Sequence, residues 1–166
     1  MPDTPAAQSA PNPADRFFSL PVRVYYEDTD AGGIVYYANY LKFMERARTE
    51  FLRSMGFEQD VVVQEYQRMF VVTAANVRYR QAACFNQMLH VTARVIESRR
   101  ASLSFAHEVF IGDAVPDGNV EVASQSHQVA CTATVALACL DSETHQPAGF
   151  PAPMAEMLAG QISPRA

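Results

Sequence analysis

Cysteine is scarce in this 166-residue chain: there are three, Cys84, Cys131 and Cys139. Their number is odd, they lie far apart, and no C-x-x-C pair is present, so neither a disulfide scaffold nor a zinc ribbon follows. Cys131 and Cys139 stand in an apolar alternating run, where a small buried hydrophobe is the expected role. Reduced thiols point to a cytoplasmic protein. No apolar stretch approaches the roughly 18 residues of a membrane span, and residues 1–15, MPDTPAAQSAPNPAD, lack the apolar core of a secretory signal.

Basic residues are also in deficit. Thirteen Lys and Arg against 18 Asp and Glu leave a formal net charge of -5, which removes the general attraction to phosphate backbones and with it nucleic-acid binding. The four histidines make no close ligand set, and His107-Glu108 is not followed by a second His at metalloprotease spacing, so no metal is expected. Neither a G-x-S-x-G elbow nor a phosphate-binding loop occurs. The remaining expectation is chemistry without a cofactor.

What is present fits one domain of ordinary globular composition, 49% hydrophobic and 19% charged. Residues 1–15 read as a disordered Pro/Ala-rich tail, 16–150 as the folded domain, and 151–166 as a C-terminal tail with a short helix around Met154 to Leu158. From Leu20 apolar residues alternate through Val22, Val24 and Tyr26, the period of a half-buried strand. If that strand stays extended, Asp28 and Asp30 continue the inward row.

Gly32-Gly33 breaks the pattern, and Tyr40, Phe43, Met44, Ala47, Phe51 and Met55 then recur at helical spacing. That predicts one amphipathic helix over about 39–55, with Gly56 as a left-handed cap and Arg46/Glu50 as a pair on its wet side. A shorter helix is expected over Glu58 to Tyr66. Period two returns with Met69, Val71, Thr73, Ala75, Val77 and Tyr79 on one face, followed by strands starting near Leu89, Leu103 and Val129. Short connections predict an antiparallel meander of these four, with 112–126 as a polar loop. One long helix and one apolar sheet face imply an α+β architecture in which the sheet curls around the helix. An exposed edge strand would be hidden by a second copy, so a dimer or higher homo-oligomer is expected.

The segment Tyr25 to Tyr40, YYEDTDAGGIVYYANY, is the densest in chemistry. Gly-Gly permits a sharp bend and close approach of a ligand. A helix start offers unpaired N–H groups and a positive dipole end, which stabilise an oxygen gaining negative charge. A carboxylate just upstream then serves as nucleophile or general base toward the carbon bearing that oxygen. The plain alternatives are turn hydrogen bonding for Asp28 and Asp30 and core or interface packing for the tyrosines.

YYEDTDAGGIVYYANYLKFMERARTEFL closely resembles the opening motif of the hotdog-fold acyl-CoA thioesterases, in particular the Tol-Pal-associated acyl-CoA thioesterase family and its relatives, the 4-hydroxybenzoyl-CoA thioesterases. The shared signature is D-x-D-x-x-G-x-V-Y-x-x-x-Y. The resemblance implies an antiparallel sheet of five to six strands around a long central helix, dimers or tetramers, and acyl-CoA as substrate at sites between subunits. It also places Asp30 on the catalytic aspartate and Tyr37, at the start of the helix, on the residue whose backbone N–H polarises the thioester carbonyl, with Gly33 and Tyr36 lining the substrate. Many Tol-Pal-type members carry His where this chain has Tyr37; a backbone donor survives that exchange, whereas imidazole proton transfer does not. Arg99, Arg100 and the neighbouring Ser102, in a tight strand connection, read either as a solvated turn or as partners for the phosphates of coenzyme A. An acyl-binding scaffold in a cell-envelope complex of the Tol-Pal type is the non-enzymatic alternative.

Overall fold

Alternation in the sequence becomes strand and helical spacing becomes helix, but two strands join the sheet in unexpected places. A computed structural model describes residues 17–113 and 128–162. The segment 1–15 and nearly all of 112–126 lie outside the described residues. In chain order the elements are β1 (Phe18–Arg23), α1 (Asn39–Ser54), α2 (Gln59–Tyr66), β2 (Arg68–Tyr79), β3 (Met88–Ser98), β4 (Ser102–Ile111), β5 (Gln128–Asp141) and α3 (Ala152–Ala159). The five strands form one antiparallel sheet in the order β1-β3-β4-β5-β2.

The expected four-strand meander is therefore corrected. Only β3, β4 and β5 run as one. β1 occupies the free edge of β3, and the chain crosses through α1 and α2 before β2 pairs with β5 at the opposite edge. The crossing puts α1 over the sheet, where Phe43, Met44, Ala47 and Phe51 join Leu89, Val91, Phe105 and Val135 in one core. This is the expected α+β hotdog arrangement, a five-stranded sheet around one long helix.

β2 does not keep one face. It has a bulge between Val72 and Ala74, so Phe70 and Val72 pair with the inward Cys139 and Leu137, whereas Ala75, Val77 and Tyr79 pair with the inward Val135, Ala133 and Cys131. Met69 and Val71 thus leave the inner face to which simple alternation assigned them, because one inserted residue reverses the side of every residue on one side of it.

The end of α1 follows its sequence closely. Gly56 takes φ +89, its N–H donates to Arg53 O at 2.9 Å, and Phe57 N–H donates to Leu52 O at 3.0 Å. That double bond is the Schellman closure, in which the left-handed residue carries no side chain. The Arg46/Glu50 pair is not formed among the described residues. Glu50 instead bonds Arg53, which also binds Glu58 at 2.7 Å and so links α1 to the start of α2.

Candidate active site

β1 does not carry its alternation into the acids. It ends at Arg23, and a single 3-10 turn, Tyr26–Asp28, absorbs the next residues. The expectation that Asp28 and Asp30 point inward is corrected for this reason: a helical turn breaks the period of two. Asp28 closes its own turn, Oδ2 accepting from Tyr25 N–H at 2.8 Å, while its carbonyl accepts from Tyr36 N–H at 2.8 Å and Asn39 Nδ2 at 2.9 Å.

Asp30 opens a tight hairpin. Its N–H donates to Ile34 O at 2.9 Å, its carbonyl accepts from Gly33 N–H at 3.0 Å, and Thr29 bridges Val35. Asp at the first and Gly at the fourth position suit such a turn, and Gly33, at φ +76, supplies the left-handed conformation. The Asp30 carboxylate is exposed in the single chain, with Oδ1 accepting from Gly32 N–H at 2.8 Å. A side chain on Gly32 would put Cβ 3.0 Å from that oxygen. The turn reading of Asp30 is thus realised for one oxygen.

The second arm of the hairpin forms a wall of a cleft of about 270 Å³, lined by Ile34, Val35, Tyr37, Tyr40, Tyr79 and Arg80 among others. Tyr37 lies two residues ahead of α1, in the turn that enters it, so the helix start is at Asn39 and not at Tyr37. Its N–H has no acceptor among the described residues, whereas its carbonyl accepts from Tyr79 Oη at 2.9 Å. The Tyr36 and Tyr37 rings are 4.8 Å apart, and the Tyr37 hydroxyl beside it holds the Tyr36 hydroxyl above its ordinary pKa. Tyr40 is buried and accepts from Ala83 N–H at 3.3 Å through its hydroxyl.

Gly33, Tyr36, Tyr37 and Asp30 therefore share one short segment of the molecule. Arg99, Arg100 and Ser102 do not join them. β3 begins beside Arg23 and ends at Ser98, so the β3–β4 connection stands at the opposite end of the sheet, about 33 Å along the strand at roughly 3.3 Å per residue. There Arg99 binds Glu97 at 2.8 Å, and its N–H donates to Ser102 O at 2.8 Å.

Two contributors were missed from sequence. Asn39, buried, ties α1 to the Asp28 turn, and a polar residue at position 39 in line with the buried Phe43 and Ala47 is the signal that marks it. Tyr79 fixes the Tyr37 carbonyl, a contact across 42 residues that no local pattern carries. Cys131 is fully buried and burial pushes its thiol up to about 12, which removes it as a nucleophile at neutral pH. Among the described residues no cluster of His, Cys, Asp or Glu is arranged to hold a metal ion, and no helix is long and apolar enough to cross a membrane.

A family model described as the thioesterase-like superfamily matches residues 24–158. The chain is 40% identical over 137 residues to the acyl-CoA thioesterase YbgC of Haemophilus influenzae, covering 82% of this chain and 90% of that one. It is 46% identical over 92 residues to the acyl-CoA thioester hydrolase YbgC of Escherichia coli O6:H1, covering 55% and 68%. The fold is similar to that of Slr0204, a 1,4-dihydroxy-2-naphthoyl-CoA thioesterase from Synechocystis, with a TM-score of 0.72 at 17% identity over 86% of this chain and 96% of that one.

Proposed function

The chain belongs to the thioesterase-like superfamily, and from that premise we propose that it hydrolyses the thioester of an acyl-CoA to a free acid and coenzyme A. The observation that carries this reading is the Asp30 hairpin, whose second arm, Ile34 and Val35, walls the cleft lined by Tyr37. Similarity to relatives named as acyl-CoA thioesterases supplies the substrate class.

In the proposed reaction the carbonyl oxygen accepts from the Tyr37 backbone N–H, which supports the negative charge that oxygen gains. Asp30 acts on the carbonyl carbon in one of two ways. As general base it takes a proton from water, the hydroxide adds, and the proton passes to the departing coenzyme A sulfur. As nucleophile it adds to the carbonyl carbon and expels the coenzyme A thiolate. Water then cleaves the resulting mixed anhydride to the free acid and the regenerated Asp30 carboxylate, with the released proton passing to the thiolate. Neither route consumes a cofactor.

The exposure of Asp30 in one chain fits a site completed by a second copy. β2 is an edge strand whose middle, Val72 to Asn76, is exposed and uncharged, a surface suited to pairing. Antiparallel pairing of two β2 strands about a twofold axis turns the β3–β4 end of one copy toward the Asp30 end of the other. Arg99, Arg100 and Ser102 would then serve the partner's site, with the guanidiniums meeting the phosphates of coenzyme A, while Gly33 and Tyr36 line the acyl thioester. We propose that the protein works in the cytoplasm as a homo-oligomer, a dimer or a tetramer, beside a Tol-Pal-type envelope system as the family resemblance implies.

Thiol release from short, long and aromatic acyl-CoAs tests the activity, and Asp30→Asn tests the assignment. Loss of a general acid or base costs on the order of 10² to 10⁴ in rate, so the variant should fold normally and turn over at that reduced rate. Wild-type turnover in Asp30→Asn would remove Asp30 from the reaction. Saturable acyl-CoA binding without thiol release by the native protein would remove the hydrolysis itself.

A further inference from the structure

A buried charge without a counter-ion marks a second cavity. It lies between α1 and the inner face of β2, β4 and β5, has a volume of about 140 Å³, and is walled by Leu52, Phe70, Phe105, Leu137 and Met154. Arg48 lines it as well and is only 6% exposed. Its Nη1 lies 3.1 Å from His107 Nε2, and His107 Nδ1 lies 2.6 Å from Thr92 O. A carbonyl can only accept, so Nδ1 carries the ring proton, Nε2 presents a lone pair to the arginine, and the imidazole is neutral.

His107 therefore satisfies one guanidinium N–H and supplies no charge. Among the described residues Arg48 forms no ion pair. Glu45, one turn earlier on α1, also lines the cavity, but it is exposed and its Oε1 accepts from Thr49 Oγ1 at 2.9 Å. Burial works against the Arg48 cation, opposed only by the more distant field of Glu45. A guanidinium does not release its proton in a protein, so a buried one calls for an anion.

We propose that this cavity binds a short organic carboxylate, its head on the Arg48 guanidinium and its tail against Phe70, Phe105, Leu137 and Met154. An inorganic anion would leave the apolar wall unused, and a neutral apolar molecule would leave Arg48 uncompensated. The volume is close to the roughly 150 Å³ of an engineered cavity that holds benzene, which sets the ligand at about the size of hexanoate or benzoate. Within one chain the site stands apart from the thioester cleft: Arg48 lies about 13 Å of helix rise beyond Asn39, at roughly 1.5 Å per residue. Occupancy does not depend on hydrolysis.

The test uses the full-length protein, its methionine methyls labelled for NMR, titrated with hexanoate and, in parallel, with hexan-1-ol. The Met154 methyl, assigned by Met154→Leu, should shift and saturate with hexanoate, and the acid should bind about tenfold or more tighter than the alcohol, the margin of a charge-assisted pair. Arg48→Met should abolish that preference while keeping the alcohol's affinity. Equal affinity of acid and alcohol for the native protein overturns the proposal, as does hexanoate binding that leaves the Met154 methyl unmoved. No binding at millimolar acid overturns it too. The acid–alcohol contrast needs only the native chain, so a poorly folding Arg48→Met leaves the test intact.

Discussion

At the scale of single residues, the two adjacent glycines of the hairpin do different things. Gly33 adopts φ +76 and has open space where a side chain would go, so Gly33→Ala meets only backbone strain, about 1–2 kcal/mol. Gly32 has no such conformation, but a Cβ there would stand 3.0 Å from Asp30 Oδ1, so Gly32→Ala displaces the carboxylate. The two variants should therefore separate: Gly33→Ala lowers the unfolding temperature by several degrees, whereas Gly32→Ala leaves it within a degree or two of native and lowers kcat. Calorimetry beside a thiol-release assay reads both. Loss of activity and stability together in Gly32→Ala would mean that the glycine shapes the turn and not the acid.

At the scale of elements, the pairing of α1 with the sheet carries a pH dependence. His107, on β4, is held neutral by burial first and by the Arg48 charge second, with its pKa lowered from 6.5 to about 4. The unfolded chain therefore binds more protons than the folded one between those values, and stability falls as the medium is acidified. The contribution is complete above pH 6.5 and is lost progressively toward pH 4, on the order of 3 kcal/mol over the whole window. Urea unfolding at pH 7 and pH 4.5 should show the decline, and His107→Gln, which cannot titrate, should flatten it. An identical pH slope in the variant would transfer the effect to other groups. The end of the same helix gives a second expectation. Gly56→Ala strains the left-handed closure and should cost about 1–2 kcal/mol, read as a lower urea midpoint at unchanged slope.

At the scale of the whole molecule, the long β2 edge decides whether one chain is a working unit. Val72 is 53% exposed beside the Arg48 cavity, and Tyr79 at 49% and Tyr37 at 60% stand beside the cleft, so apolar groups flank the edge along its length. A lysine in the middle of that edge places like charges close together in a paired ribbon, which disfavours pairing. Ala74→Lys should shift the protein to a monomer in sedimentation velocity and lower thiol release in proportion, with the monomer's fold retained by circular dichroism. A folded monomer of full activity would show that each chain holds a complete site.

The sequence by itself determined the parts governed by neighbours along the chain: the period of each element, the α1 boundaries, the closure at Gly56 and the dense chemistry of Tyr25 to Tyr40. Those follow from backbone sterics and side-chain spacing within a few residues. Only the tertiary structure decided that β2 leaves the meander for the far edge, that a bulge after Val72 changes its inner face, and that Asp30 turns outward on a hairpin. It also decided that Tyr79 reaches Tyr37, that Arg48 meets His107 across the core, and that Arg99 and Arg100 stand at the other end of the sheet from Asp30. Each of these depends on which segments meet after the chain has crossed the sheet. An inserted residue, a 3-10 turn or a crossover resets direction for everything beyond it, and period alone carries no record of that.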